Sequence, residues 1–101
     1  MTPGRRPNRA NFRRRVLARD NFRCRVCGHA PAAVHHIIDC RAIIHGGYVP
    51  ENGITLCPPC RARAGTPGYT EAELFARIGS SRAAARTALN PWGFHDAGRL
   101  R

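Results

Sequence analysis

Two cysteine pairs, Cys24–Cys27 and Cys57–Cys60, and two adjacent histidines, His35 and His36, are the side chains whose types and spacing suit chemistry in this sequence. Each pair reads Cys-x-x-Cys, and twenty-nine residues separate the pairs. Four thiolates in two such knuckles suit a tetrahedral structural zinc with Zn–S bonds near ~2.3 Å. The same ligands could hold an iron–sulfur cluster. A redox Cys-x-x-Cys fits poorly, because there are two of them. A four-thiolate zinc leaves no open coordination position, so any reaction has to come from the segment that the metal pins. Cys40 lies outside both knuckles and reads as a packing cysteine.

At 101 residues the chain is one domain at most, and domains this small often supplement a limited core with a metal or disulfides. Seventeen basic residues, every one an arginine, face six acidic ones, for a formal net charge of +11. A GC-rich genome would explain the missing lysine but not the shortage of acids. The imbalance points to a polyanionic partner, most simply nucleic acid. No apolar run approaches the ~20 residues of a membrane span, and MTPGRRPNRANFRRR lacks the apolar core of a signal peptide. The expected compartment is the reducing cytoplasm, where paired cysteines hold metal rather than form disulfides.

The elements that must position these residues are short. Phe12, Val16 and Leu17 have helical spacing, with Asn11 as N-cap, Arg13, Arg14, Arg15 and Arg19 outside, and Asp20-Asn21 as the stop. Gly28 permits the tight reversal after Cys27. AVHHII over 33–38 reads as a strand, and ITLC over 54–57 as a second strand pairing with it. Pro58 and Pro59 suit the first turn of a short helix over 58–64. Thr70 and Glu73 form a capping box for a helix over 70–79, closed by Gly79. SSRAAARTALN reads as a further helix and PWGFHDAGRLR as a loosely docked tail, in which His95 and Asp96 carry no assignment. Tyr48 and Trp92 are expected to pack against the small core.

The ensemble RVLARDNFRCRVCG, VHHI and ENGITLCPPC resembles the HNH endonucleases, of the small zinc-knuckle kind often encoded by phages and prophages. The resemblance covers about residues 12–64. It implies an α+β architecture: a small zinc-stabilised ββα-metal (His-Me finger) domain with flanking helices. The domain would span 11–68, between a flexible basic arm (1–10) and a C-terminal helical extension and tail (69–101). The resemblance makes His36 the general base and His35 a ligand of a catalytic divalent ion, Mg2+, Mn2+ or Ni2+. It makes Asn52 the residue that fixes the loop and orients the base. Cys24, Cys27, Cys57 and Cys60 hold the structural Zn2+. The helix after the second knuckle could sit in the minor groove, and Arg13, Arg14, Arg15, Arg61 and Arg63 contact DNA. The implied activity is metal-dependent hydrolysis of DNA phosphodiesters. The alternative is a catalytically weakened zinc module that binds DNA or a phage packaging partner.

Two features of the residues complicate this expectation. Neighbouring strand side chains point to opposite faces, so His35 and His36 can serve one phosphate only if the strand is distorted or they flank the site. Moreover, the family's final metal-binding histidine directly follows the last knuckle cysteine, and here that position is Arg61. A guanidinium has five donors and no lone pair, and it repels a divalent cation. Three accounts stay open. His29, His45 or Asp39 coordinates instead; Arg61 clamps the phosphate in the metal's place; or cleavage is lost and binding kept.

Overall fold

The chain opens on a helix because Asn8 supplies its cap: the Asn8 side chain accepts from the Asn11 amide at 2.9 Å. Helix α1 (Arg9–Arg19) therefore starts one turn earlier than a cap at Asn11 would place it. In the computed structural model, residues 7–39, 41 and 43–92 are described, with the side chains of Ile44, His45 and Trp92 excepted. Residues 1–6 of the basic arm, Cys40, and the tail from 93, including His95 and Asp96, lie outside the described residues. Asn21 and Phe22 follow α1 in the left-handed region, at φ 56° and 59°. Two such residues in succession end the helix, and they leave Phe22 exposed.

Strand β1 (Ala33–His36) and strand β2 (Gly53–Leu56) form a two-stranded antiparallel sheet. His35 pairs with Ile54 and His36 with Gly53. β1 stops two residues short of the 33–38 run, whereas β2 keeps the expected four residues but begins one position earlier. The backbone leaves the ladder after His36, where Asn52 captures the next residues. Helix α2 (Pro58–Ala62) follows β2 with its prolines in the first turn, where amide donors have no helical partner. Helix α3 (Glu71–Arg77) carries the Thr70–Glu73 capping box, and Gly79 closes it at φ +67°. Helix α4 (Arg82–Leu89) is separate, with its own cap at Ser81.

β2 is buried at every position and forms the spine of the core. Helix α1 crosses it on one side with Phe12 and Val16. A Cβ at Gly53 would lie 2.7 Å from the Phe12 ring and from Val16 Cγ2, so only glycine lets the helix lie this close. The other side holds Leu74, Phe75, Ala85 and Leu89 from the C-terminal helices, in one cluster with Ile54, Leu56 and three knuckle cysteines. No helix among the described residues is long and apolar enough to cross a membrane.

One buried ion pair ties α1 to this spine. The Asp20 carboxylate is fully buried and accepts from Arg19 Nε at 2.7 Å, Arg19 Nη2 at 2.8 Å and the Thr55 amide at 3.0 Å. Arg19 also donates to the Pro50 and Gly53 carbonyls, so it faces inward rather than joining the outer arginine face. Burial alone would raise the Asp20 pKa, but the hydrogen bonds from Arg19 and Thr55 outweigh it and hold it below 3.8. Because the folded value is depressed, this contribution is present above pH 3.8 and is lost as the pH falls through the lowered value. Asp20→Ala is expected to cost about 3 kcal/mol, since removing one partner strands the other's charge in a partly buried setting. Urea unfolding at neutral pH measures it. A change below about 0.5 kcal/mol, the usual size for surface substitutions, would mean that the knot is incidental.

Candidate functional site

The four knuckle cysteines converge, with their Sγ atoms all within 4.8 Å of one another. Ligands at Zn–S about 2.3 Å in a tetrahedron sit roughly 3.8 Å apart, so this spread fits a shared metal. The first knuckle is shaped by backbone: the Val26 and Cys27 amides each point at Cys24 Sγ at 3.4 Å. Gly28, at φ +80°, turns its amide onto the Cys24 carbonyl. The second knuckle opens α2, where the Arg61 amide bonds the Cys57 carbonyl at 2.9 Å. Burial pushes the Cys24 thiol up, but amides of Cys27, Cys57 and Val26 prevail and lower it to about 6. Burial, then hydrogen bonding with Cys57 and Cys24, raises the Cys60 thiol to about 12. Thiols that crowd and titrate apart in this way suit a dication, which would stabilise all four as thiolates. The donor set fits a structural metal such as zinc, which Cys24, Cys27, Cys57 and Cys60 would hold with no open coordination position.

His29 belongs to this centre. Its Nδ1 lies 3.1 Å from Cys27 Sγ, and this hydrogen bond and the sulfur's charge raise the imidazole pKa. It is thus an outer partner of a thiolate, not a substitute ligand beside His35. Histidine two residues after a knuckle cysteine was the available signal.

The histidine pair faces a different space, a cavity of about 720 Å3 between α1, β1 and the end of α2. Both His35 and His36 line it. The alternation of a strand does not prevent this, since all four β1 residues, Ala33 to His36, line the cavity. His36 faces α1, stacked on Phe12 with ring centroids 4.6 Å apart, and meets Tyr48 edge-on at 5.3 Å. Tyr48 thus packs as expected, and against the histidine itself. His35 lies on the side of Arg61. Burial, then the Arg61 charge, lowers the His35 pKa below 6.5. Burial, then the charges of His35 and Arg9, does the same for His36. Both imidazoles are therefore neutral at pH 7. His36 Nε2 is buried and has no hydrogen-bond partner among the described residues.

Asn52 does not line the cavity; it holds the loop beside it. Fully buried, it accepts from the Ile38 amide at 2.8 Å and donates to the Ile38 and Gly47 carbonyls at 3.1 and 3.2 Å. Its own carbonyl accepts from the Ile37 amide at 2.9 Å. The backbone immediately after His36 is fixed by this one residue, which makes Asn52 a positioning residue.

Of the five arginines expected at nucleic acid, Arg13 and Arg61 line the cavity. Arg14 donates to Asn11 on the outer face of α1, and Arg15 is exposed there. Arg63 sits 6.0 Å over the Tyr69 ring. Sequence reasoning missed Arg9 and Arg41, which complete the cavity wall. Arg9 is one helical turn before Arg13, and an earlier N-cap would have placed it on the same face.

A second, catalytic divalent ion does not fit these residues. The cavity offers one carboxylate, Asp39, and Arg41 already binds both of its oxygens, at 2.8–3.2 Å from Oδ1 and 3.0 Å from Oδ2. Four arginines, Arg9, Arg13, Arg41 and Arg61, line the same space. Among the described residues, only the four cysteines group three or more possible ligands. Comparison of the chain with protein-family models, curated proteins and solved structures finds no match.

Proposed function

We propose that this α+β domain, pinned by a four-cysteine zinc site, is an endonuclease acting on phosphodiester bonds of DNA, with His36 as the general base and no second metal ion in its cavity. What carries the reading is the pairing of two neutral imidazoles with a wall of arginines in one cavity on a strongly basic chain. Neutral imidazole accepts a proton at physiological pH, and guanidinium groups bind the phosphate that is to be attacked. The His36 imidazole takes a proton from a water molecule as the water oxygen bonds to phosphorus. The bond from phosphorus to the 3′ oxygen then breaks, and that oxygen is protonated from solvent. His35, beside Arg61, donates to a phosphate oxygen. Asn52 keeps the turn after His36 in place.

The test is conversion of supercoiled plasmid to nicked circle by zinc-loaded protein, with and without added Mg2+, Mn2+ or Ni2+. Because the His36 value is depressed, the rate is expected to rise with pH through a midpoint below 6.5 and then level off. Arg61 favours a second reading, a zinc module that binds DNA or a phage packaging partner without cutting. Plasmid that is retarded on a gel yet never nicked, between about pH 5 and 9, would select that reading.

A further inference from the structure

We infer that the cavity beside His35 and His36 is a metal-free clamp for one phosphate, in which Arg61 occupies the place of a catalytic cation. The inference rests on the reading of this cavity as the seat of a phosphodiester. Charge is the first argument. Four arginines and one aspartate leave the cavity with a surplus of three positive charges when its histidines are neutral. A divalent cation entering there meets repulsion, and a phosphate meets attraction.

Availability is the second argument. Arg41 is engaged with Asp39. Among the described residues, Arg9, Arg13 and Arg61 have no side-chain hydrogen-bond or ion-pair partner, so their donors face an incoming anion there. They approach from two directions, Arg9 and Arg13 from consecutive turns of α1 and Arg61 from α2. A tetrahedral anion in the cavity thus meets arginines from both helices.

Position is the third argument. Arg61 directly follows Cys60, and its amide is bonded to the Cys57 carbonyl, so the zinc knuckle itself sets its backbone. Its side chain is close enough to His35 to depress that imidazole. A planar guanidinium can bind two phosphate oxygens at once. It has no lone pair with which to share a divalent ion.

The experiment follows the His35 and His36 imidazole proton resonances of zinc-loaded protein by NMR. Added Mn2+ is expected to leave both sharp in the wild type and to broaden both in Arg61→His, which restores a lone pair. Inorganic phosphate, with no divalent ion added, is expected to shift them. Arg61→Ala is expected to weaken that binding about tenfold, the worth of a charge-assisted bidentate contact. Arg23→Ala, outside the cavity, leaves it unchanged. Zinc content checks that each variant is folded. Broadening of the wild-type resonances by substoichiometric Mn2+ overturns the inference, as does phosphate binding that is absent or indifferent to Arg61. If phosphate binds as expected while plasmid is never cut, the clamp stands and the cleavage reading falls.

Discussion

Removing zinc is expected to unfold the domain outright. Binding of a structural zinc by four thiolates is worth roughly 10–16 kcal/mol near neutral pH, against a total stability of about 5–15 kcal/mol for an ordinary domain. Little else can hold the core together. Cys24, Cys57 and Cys60 are themselves buried members of its main cluster, and β1 and β2 have four residues each. Without the ion, four crowded thiols remain, one pushed to about 6 and another to about 12, with no group to balance them. Loss of far-UV circular dichroism on adding a strong chelator is the measurement, with about one zinc per chain beforehand. Cys60→Ser is expected to give the same result. A metal-free preparation with undiminished helix signal and an unchanged unfolding midpoint would refute the zinc clamp. A brown, visibly absorbing protein would point instead to an iron–sulfur cluster.

The second large effect is expected at His36. His36→Ala should lower the plasmid-nicking rate by about 10²–10⁴-fold, the usual contribution of a positioned general base. DNA affinity should change little, since the arginines remain. The loss has to be separated from a packing defect, because the ring stacks on Phe12 and touches Tyr48. His36→Gln fills most of the same space without a titratable nitrogen, so it should be nearly as slow while keeping the wild-type unfolding midpoint. A glutamine variant that nicks at close to the wild-type rate would show that the imbalance of charge, not the imidazole, drives the reaction.

Much of this was legible because it depends on local spacing. The Cys-x-x-Cys pairs announce their convergence, since each knuckle is made by its own backbone amides. The Thr70–Glu73 box and the proline pair at 58–59 signal helix starts through groups within four residues. Asn8 and Asn11 could not be told apart in this way. Both are good caps one turn apart, and the choice falls to whether Phe12 docks on β2. Asp20 looked like a stop signal because its burial is set by Thr55, thirty-five positions away. Yet it was the one acid before Asp39 in a chain crowded with arginine, which marked it for a partner. The addition of Arg9 and Arg41 to His35, His36 and Arg61 was beyond reach. It follows from how α1 and the segment after β1 close on one cavity, which no short-range pattern encodes.

Gly53 has a bearing on the chemistry that its lack of a side chain conceals. It sits across the ladder from His36, and its bare Cα is what admits the Phe12 ring to that imidazole. A methyl group there would lift α1 off the sheet and let solvent in behind the ring. The proton affinity of His36 would then climb back toward that of free histidine, and the working range of the site would slide toward more alkaline pH. On the proposed reading, the acidity at which the site would work is set by an absent methyl on the strand paired with β1.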